Sequence, residues 1–339
     1  MDDDEEASAA WEPLSIAQCN QTFAGPQGRR AITRNPRSNG VYKPGQPPTA
    51  VPNAAADGAG PAQAYPDIRT NGGAFVGVLT RWWRSRTLAR ERRRYRRSDW
   101  RAARAALPLL AGLTDEQDGR LADLALLFLR DKRLEAVQGL QLTARMRLII
   151  ALQAALPVLE LGLDWYRGWY ALILYPAEFV PAREYVDDDG LVWVDDAVKS
   201  GEAWEQGPVI LSWADVAAGR TLDGYNVVVH ELAHKLDMRD GSANGRPPLH
   251  ADMSGQSWTQ AFAAAYADLN RRVAAGEETP IDPYGAESPA EFFAVASEAF
   301  FETPGLLNAD YPAVYSQLRA FYRQHPLARL GAGAWPGSR

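Results

Sequence analysis

The spacing of hydrophobic residues predicts several amphipathic helices from residue 107 onward. Thr114 to Lys132 and Thr143 to Leu156 each place apolar residues on one helical face behind a threonine suited to capping. Similar spacing predicts further helices over Gln256 to Arg272, after Ser288, and over Pro312 to Gln324. The second half of the chain is therefore predicted to be rich in helix.

Three shorter segments have the composition of β-strands. They are rich in aromatic and β-branched residues, and they span Trp169 to Tyr175, Leu191 to Val194 and Pro208 to Trp213. Together with the helices, they predict an α+β fold with a small mixed sheet.

The first 74 residues lack sustained periodicity and are rich in Pro, Gly, Ala and Asn, which is typical of disorder. Next, Phe75 to Arg97 can form a helix with apolar and tryptophan residues along one side. The predicted organisation is an extension over 1–74, a basic helical segment over 75–105, a folded domain over 106–330 and a flexible tail over 331–339.

Composition favours a cytoplasmic protein. Of 339 residues, 46% are hydrophobic, which is enough for one sizeable core. The single cysteine, Cys19, excludes an internal disulfide and suits a reducing compartment. Neither a secretory signal nor an apolar run of membrane-spanning length is visible in the sequence.

Charge is concentrated in one segment. Arg81 to Arg104 contains eleven arginines against Glu91 and Asp99, which gives this segment a charge of +9. The whole chain has a formal net charge of −6, so the charge of the remaining residues sums to −15. Tryptophan beside arginine favours contact with a membrane surface or a partner through Phe75 to Arg97. A solvated helix that packs its aromatics on the body explains the pattern equally well. Direct nucleic-acid binding is not expected, because no base-reading motif accompanies the charge.

Two of the four histidines lie in the phrase His230-Glu231-Leu232-Ala233-His234, the H-E-x-x-H pattern of zinc peptidases. On a helix, residues four apart share a face, so both imidazoles can reach one metal ion. The apolar surroundings predict a buried helix with Asp223 as its N-cap. Two histidines and a glutamate buried there would be costly without a partner such as zinc, beside which Glu231 can act as a general base.

A catalytic zinc needs a third protein ligand. The extended all-histidine motif is absent, because Asp237 and Asp240 stand at its glycine and third-histidine positions. A carboxylate from a later helix, as in thermolysin-like enzymes, is therefore expected. The best candidates are Glu291 and Glu298, which lie seven apart on an apolar helix that begins at Ser288.

The residues alone leave the role of each acid open. Ser288 and Glu291 also have capping-box spacing, in which Glu291 only reaches back to the cap amide. Glu298 is then the alternative ligand; otherwise it suits a role in orienting a histidine. Asp237, one turn after His234, is a weaker candidate for orienting a ligand.

Beyond the motif, the stretch from Leu107 to Leu330 resembles the Mlc titration factor A family of bacterial zinc peptidases. The phrases that carry the resemblance are Leu156 to Trp165, Ser200 to Trp204, Gly207 to Leu211, His230 to Asp237 and Tyr284 to Phe301. The resemblance implies a zincin-like domain of the glutamate-ligand type, with an active site similar to that of anthrax lethal factor. By analogy with such enzymes, Gly207 to Trp213 is expected to present its edge to an extended substrate.

Matched position by position, the resemblance implies that His230, His234 and Glu291 hold one Zn²⁺ and that Glu231 is the general base. It also implies that Tyr284 hydrogen-bonds the developing oxyanion. The implied activity is aminopeptidase-type hydrolysis of short peptides, and the implied partner is a glucose-responsive transcriptional repressor. A regulator-sequestering protein with secondary peptidase activity is the alternative reading.

Overall fold

A computed structural model describes residues 86–178, 183–186, 192–195, 201–203 and 207–331. The extension predicted to be disordered (1–74), the tryptophans Trp82 and Trp83, and the tail from 332 lie outside these ranges. The predicted division into 1–74, 75–105, 106–330 and 331–339 therefore stays a prediction.

Helices dominate the described part of the chain. Residues 86–92 are helical, and the helices that follow are α1 (Arg97–Ala105), α2 (Asp115–Asp131), α3 (Ala144–Ala155), α4 (Trp213–Ala218), α5 (Val227–Asp237), α6 (Gly255–Ala275), α7 (Pro289–Glu302), α8 (Pro304–Asp310), α9 (Pro312–Tyr322) and α10 (Pro326–Leu330). The helices predicted after Thr114, Thr143 and Ser288 are confirmed, and in each the predicted residue caps the first turn through its hydroxyl.

The strands are β1 (Arg133–Ala136), β2 (Ala171–Tyr175), β3 (Arg183–Val186), β4 (Val192–Asp195), β5 (Gly201–Ala203) and β6 (Val209–Ser212). Four of them form a mixed sheet in the order β1-β2-β6-β5, in which β1, β2 and β6 are parallel and β5 is antiparallel to β6. Strands β3 and β4 form a separate antiparallel pair. The predicted small mixed sheet in a mainly helical fold is confirmed.

The prediction that Gly207 to Trp213 presents a free edge is wrong. Strand β6 within that segment pairs with β2 on one side and β5 on the other, and all four of its residues are buried. Trp213 begins α4 instead of ending the strand. Among the described strands, β5 lies at this edge of the sheet and packs beside α5.

The predicted N-cap of the motif helix is also wrong. Helix α5 is capped by Asn226, whose side-chain oxygen accepts a hydrogen bond from the Val229 amide at 3.0 Å. Asp223 instead accepts hydrogen bonds from the Tyr225 amide at 3.2 Å and the Thr221 hydroxyl at 2.7 Å, so it forms the turn that precedes the helix.

The basic segment is not one helix up to Arg97. The helix over residues 86–92 ends, and α1 starts afresh where the Asp99 carboxylate accepts a hydrogen bond from the Arg96 amide at 3.3 Å. Leu88 packs against Leu126 and Leu127 of α2, so the described part of the segment is anchored to the domain at this residue. Within the described ranges, no helix combines the length and apolar content needed to cross a bilayer.

An aromatic part of the core lies where α6, α7 and α9 meet. Trp258 stacks on Phe262 with ring centroids 4.2 Å apart, and Phe293 and Phe321 pack edge-on and tilted around this pair. Helix α7 also packs against α5, so it lies between this aromatic cluster and the H-E-x-x-H helix. This arrangement fixes how the two helices approach each other.

A buried lysine ties the start of the sheet to the chain that precedes β2. Lys132 Nζ donates to the carbonyl oxygens of Tyr166 at 2.5 Å and Trp169 at 2.6 Å, and it lies 4.1 Å from the centroid of a Trp169 ring. Burial lowers the pKa of Lys132 to about 8, while the Asp131 carboxylate opposes that shift. The lysine therefore satisfies two carbonyls that the fold encloses.

We expect Lys132→Met to lower the free energy of unfolding by about 1–3 kcal/mol, because both carbonyls lose their donor. The neighbouring exposed Arg133, whose side chain pairs with Glu135, provides the control. Arg133→Met should change stability by less than about 0.5 kcal/mol. Urea denaturation of the three proteins measures the difference, and equal effects of the two substitutions would contradict the assigned role.

Candidate metal centre

The site forms where α5 packs against α7. His230 and His234 lie one turn apart on α5, and Glu291 lies in the first turn of α7. The His230 Nε2 atom is 3.0 Å from Glu291 Oε2 and 3.2 Å from His234 Nε2, and His234 Nε2 is 3.4 Å from Glu291 Oε2. The three residues predicted to be ligands thus present one donor atom each to a common point.

These distances and donors fit a zinc ion. Donor atoms about 2.0–2.2 Å from a tetrahedral zinc lie about 3.3 Å from one another, close to all three separations. The donor set of two imidazoles and one carboxylate is that of many catalytic zinc sites. The three residues form the only group of this kind found among the described residues.

Glu298 contacts the opposite side of the His230 ring. Its Oε1 lies 2.8 Å from His230 Nδ1, and its Oε2 accepts a hydrogen bond from the Asn226 amide. A proton on Nδ1 donated to Glu298 leaves the Nε2 lone pair directed at Glu291 and His234. The geometry therefore matches an orienting role for Glu298 and does not match the alternative in which it is the third ligand.

The capping-box alternative for Glu291 is only half present. The Ser288 hydroxyl accepts a hydrogen bond from the Glu291 amide at 3.1 Å, as in any capped helix. The Glu291 carboxylate, however, points to the two histidines instead of returning to the cap amide. The side chain is thus available as a metal ligand.

His230 and Glu291 shift each other's pKa at the site. Burial lowers the pKa of His230, but the carboxylates of Glu298 and Glu291 outweigh it and raise the pKa well above 6.5. Burial raises the pKa of Glu291, yet its hydrogen bonds to His230 and His234 hold it well below its usual range. The site therefore favours a positive charge between these groups, and a divalent cation can take the place of the proton.

The three candidate ligand residues line a cavity of about 420 Å³. Glu231, which is 4% exposed, lines it beside the ligand residues. Tyr284 also lines the cavity, and the centroid of its ring lies 6.0 Å from that of His230. It belongs to a short 3₁₀ turn, at the start of which the Asp282 carboxylate accepts a hydrogen bond from the Tyr284 amide at 2.9 Å. Burial and the neighbouring Glu291 raise the pKa of Tyr284, so the phenol keeps its proton and can donate it in a hydrogen bond.

Strand β5 forms one wall of the cavity through Gly201 and Ala203. A side chain at position 201 would put its Cβ 2.8 Å from Glu231 Cγ and Cδ, a separation that real Cβ atoms essentially never show. The backbone of the edge strand therefore rests directly against the Glu231 carboxylate. Sequence reasoning missed this contact, although the phrase that contains Gly201 was among those that carried the family resemblance.

Asp237 was considered from the sequence as a residue that orients a ligand, but its hydrogen bonds go elsewhere. Its Oδ2 accepts hydrogen bonds from the amides of Asn244 at 2.8 Å and Gly245 at 2.7 Å, so it holds the loop that follows α5. His234 Nδ1 has no hydrogen-bond partner among the described residues.

Comparison with known proteins identifies a family and several relatives. Residues 79–323 match the family described as glucose-regulated metallo-peptidase M90. The Mlc titration factor A proteins of Yersinia pestis (strain Pestoides F) and Yersinia pseudotuberculosis (serotype O:1b, strain IP 31758) are each 44% identical over 227 residues, which is 66% of this chain and 84% of each relative. The chain therefore belongs to the glucose-regulated metallo-peptidase M90 family.

Proposed function

We propose that this protein is a zinc-dependent peptidase with a zincin-like catalytic domain. His230, His234 and Glu291 hold the zinc, and Glu231 is the general base. The observation that carries the proposal is the convergence of three donor atoms, 3.0–3.4 Å apart, in a cavity that Glu231 also lines. Membership of a metallo-peptidase family supports it.

Zinc at this position would supply a Lewis acid and lower the pKa of a water molecule toward neutrality. Glu231 accepts a proton from the attacking water and delivers it to the leaving amine when the peptide bond breaks. Tyr284 donates a hydrogen bond to the substrate oxygen on which negative charge develops. Glu298 keeps the His230 ring in the orientation that directs Nε2 at the ligand set.

The substrate is proposed to lie in an extended conformation along β5. A strand at the edge of a sheet can pair its main chain with a peptide, and β5 borders the cavity through Gly201 and Ala203. Because Gly201 has no side chain, a peptide bond paired there lies close to Glu231. The preference for short, aminopeptidase-type substrates is part of the proposal and rests on the family resemblance alone.

A second candidate function is the sequestration of a regulator. The name Mlc titration factor A, carried by relatives that are 44% identical, supports binding of a transcriptional repressor by this chain as well. The two functions differ in their need for Glu231, since water activation requires the carboxylate whereas a protein interface does not.

Glu231→Gln should lower kcat by about 100- to 10,000-fold, because the amide cannot accept the proton of the attacking water. One zinc per chain should remain, because Glu231 is outside the ligand set. Metal analysis and cleavage of a short-peptide library measure the two effects. His234→Ala, which removes a ligand, is the control that should lose metal and activity together.

Cleavage by Glu231→Gln at the parental rate would rule out the general-base role, and a parent that binds no zinc would rule out the ligand set. The same variant tests the second function. Capture of a repressor by Glu231→Gln as strongly as by the parent would support binding that does not depend on catalysis. Loss of capture together with activity would argue against a separate binding function.

Tyr284→Phe should lower kcat by about 100- to 1,000-fold, because the oxyanion loses a hydrogen-bond donor. Zinc content should be normal, since Tyr284 contributes no ligand atom. Steady-state kinetics with one peptide measure the change, and Tyr170→Phe, at a tyrosine that is 76% exposed, is the control. An unchanged kcat for Tyr284→Phe would remove this residue from the catalytic machinery.

Gly201→Ala should lower kcat by about 10- to 100-fold, because the added Cβ displaces the Glu231 carboxylate from its productive position. Zinc affinity should stay at the parental value, since the ligand atoms are not displaced. Gly119→Ala is the matched control, because a Cβ at that position meets no atom within 4 Å. Parental kinetics of Gly201→Ala would show that the close contact with Glu231 has no catalytic consequence.

A further inference from the structure

Helix α7 carries a third acid, a buried one, that the proposed chemistry does not use. Glu302 lies four residues after Glu298, is 2% exposed, and is not among the residues that line the cavity. An ionised carboxylate is expensive to bury, and the neighbouring Glu298 increases that cost. A leucine would fill such a core position at no electrostatic cost, so the acid at this position calls for an explanation.

Glu302 is bound to the turn that starts the H-E-x-x-H helix. Its Oε1 accepts a hydrogen bond from Asn226 Nδ2 at 2.8 Å, and its Oε2 accepts one from the Gly224 amide at 3.3 Å. Burial outweighs these hydrogen bonds and raises the pKa of Glu302 well above its usual range. This shift favours the neutral acid, which lowers the cost of placing the group next to Glu298.

Asn226 connects three elements. Its side-chain oxygen caps α5 at the Val229 amide, and its Nδ2 donates to Gln153 of α3 at 2.7 Å as well as to Glu302 of α7. The residue is 1% exposed, so these contacts replace those it would make with water. The side chain of Asn226 is thus fixed by Gln153 and Glu302, independently of the contact that its backbone makes with the site.

The backbone of Asn226 continues the connection to the metal ligand. Its amide donates to Glu298 Oε2, and Glu298 Oε1 lies 2.8 Å from His230 Nδ1. The path from Glu302 to His230 therefore consists of hydrogen bonds between buried groups, by way of Asn226 and Glu298. A shift of Asn226 would move the carboxylate that sets the plane of the His230 ring.

We propose that Glu302 is a positioning residue of the metal centre, which holds Asn226 so that Glu298 orients His230 for ligation. The inference rests on the proposed zinc site. It predicts that Glu302 affects metal affinity although it has no contact with a ligand residue. A merely structural role predicts lower stability with unchanged zinc affinity.

The test is the zinc dissociation constant, measured by competition with a chromogenic chelator, together with the melting temperature of the metal-free proteins. Glu302→Ala should bind zinc about 10-fold more weakly than the parent, the low end for residues that support a ligand. Glu302→Gln should lie closer to the parent, because its amide oxygen can still accept from Asn226.

Ser297→Ala is the matched control. Ser297 is equally buried on α7, and its hydroxyl contacts Tyr322 and the Phe293 carbonyl, with no connection to His230 among its hydrogen bonds. It should destabilise the fold without changing zinc affinity. If Glu302→Ala does not fold, Glu302→Asp is measured instead: it keeps the acid but shortens its reach, and it should also weaken zinc binding.

A double-mutant cycle with Glu298→Gln tests the path itself. If Glu302 acts through Glu298, the effect of Glu302→Ala on zinc affinity should be lost in the Glu298→Gln background. Parental zinc affinity in Glu302→Ala (or in Glu302→Asp if the alanine variant does not fold), or fully additive effects in the cycle, would overturn the inference. A parent protein that binds no zinc would instead overturn the proposed function, so the two failures are distinct.

Discussion

The structure around the site depends on the burial of ionisable groups between α5 and α7. Both helices are largely apolar, and their packing buries most of the surface of the groups they share. His230 is held by Glu291 on one ring nitrogen and by Glu298 on the other. Buried charges persist only where partners compensate for lost hydration, so the interface is ordered by these contacts as much as by its apolar surface.

The same interface explains why the candidate site lies beside one edge of the sheet. Helix α5 packs beside β5, the short strand at the edge among the described strands, and Gly201 allows this strand to approach Glu231 more closely than a residue with a side chain could. Strand β5 is held in place by pairing with the internal strand β6, all four residues of which are buried. A helix that carries two candidate metal ligands is thereby brought beside the strand that lies at this edge among the described residues, an arrangement that suits the proposed cleavage of peptides.

Local patterns identified most helices because their signals are contained within a few residues. Thr114, Thr143 and Ser288 each cap a helix as predicted, since a hydroxyl and the third following amide are neighbours in sequence. The strands were harder to predict. The sequences of β1 and β5 are three or four residues long and include charged residues or glycine, so they lack strand periodicity and are defined by pairing with distant strands.

The choice of Asn226 over Asp223 as the cap of α5 follows the same rule. Both residues can cap a helix, but only Asn226 can also donate from its side chain to Gln153 and Glu302, which requires an amide group. These partners lie more than seventy residues away in the chain. Local propensity was therefore insufficient, because contacts with other elements select between two suitable residues.

By itself, the sequence determined that two imidazoles share a helical face with a glutamate beside them, and that two acids share a face of a later helix. Both conclusions follow from the fixed geometry of an α-helix. Only the tertiary structure decided that Glu291 meets the Nε2 atoms while Glu298 meets Nδ1, and that β5 instead of β6 borders the cavity. Those outcomes depend on how elements some sixty residues apart pack against one another. That packing is set by the whole core and cannot be read from any local pattern.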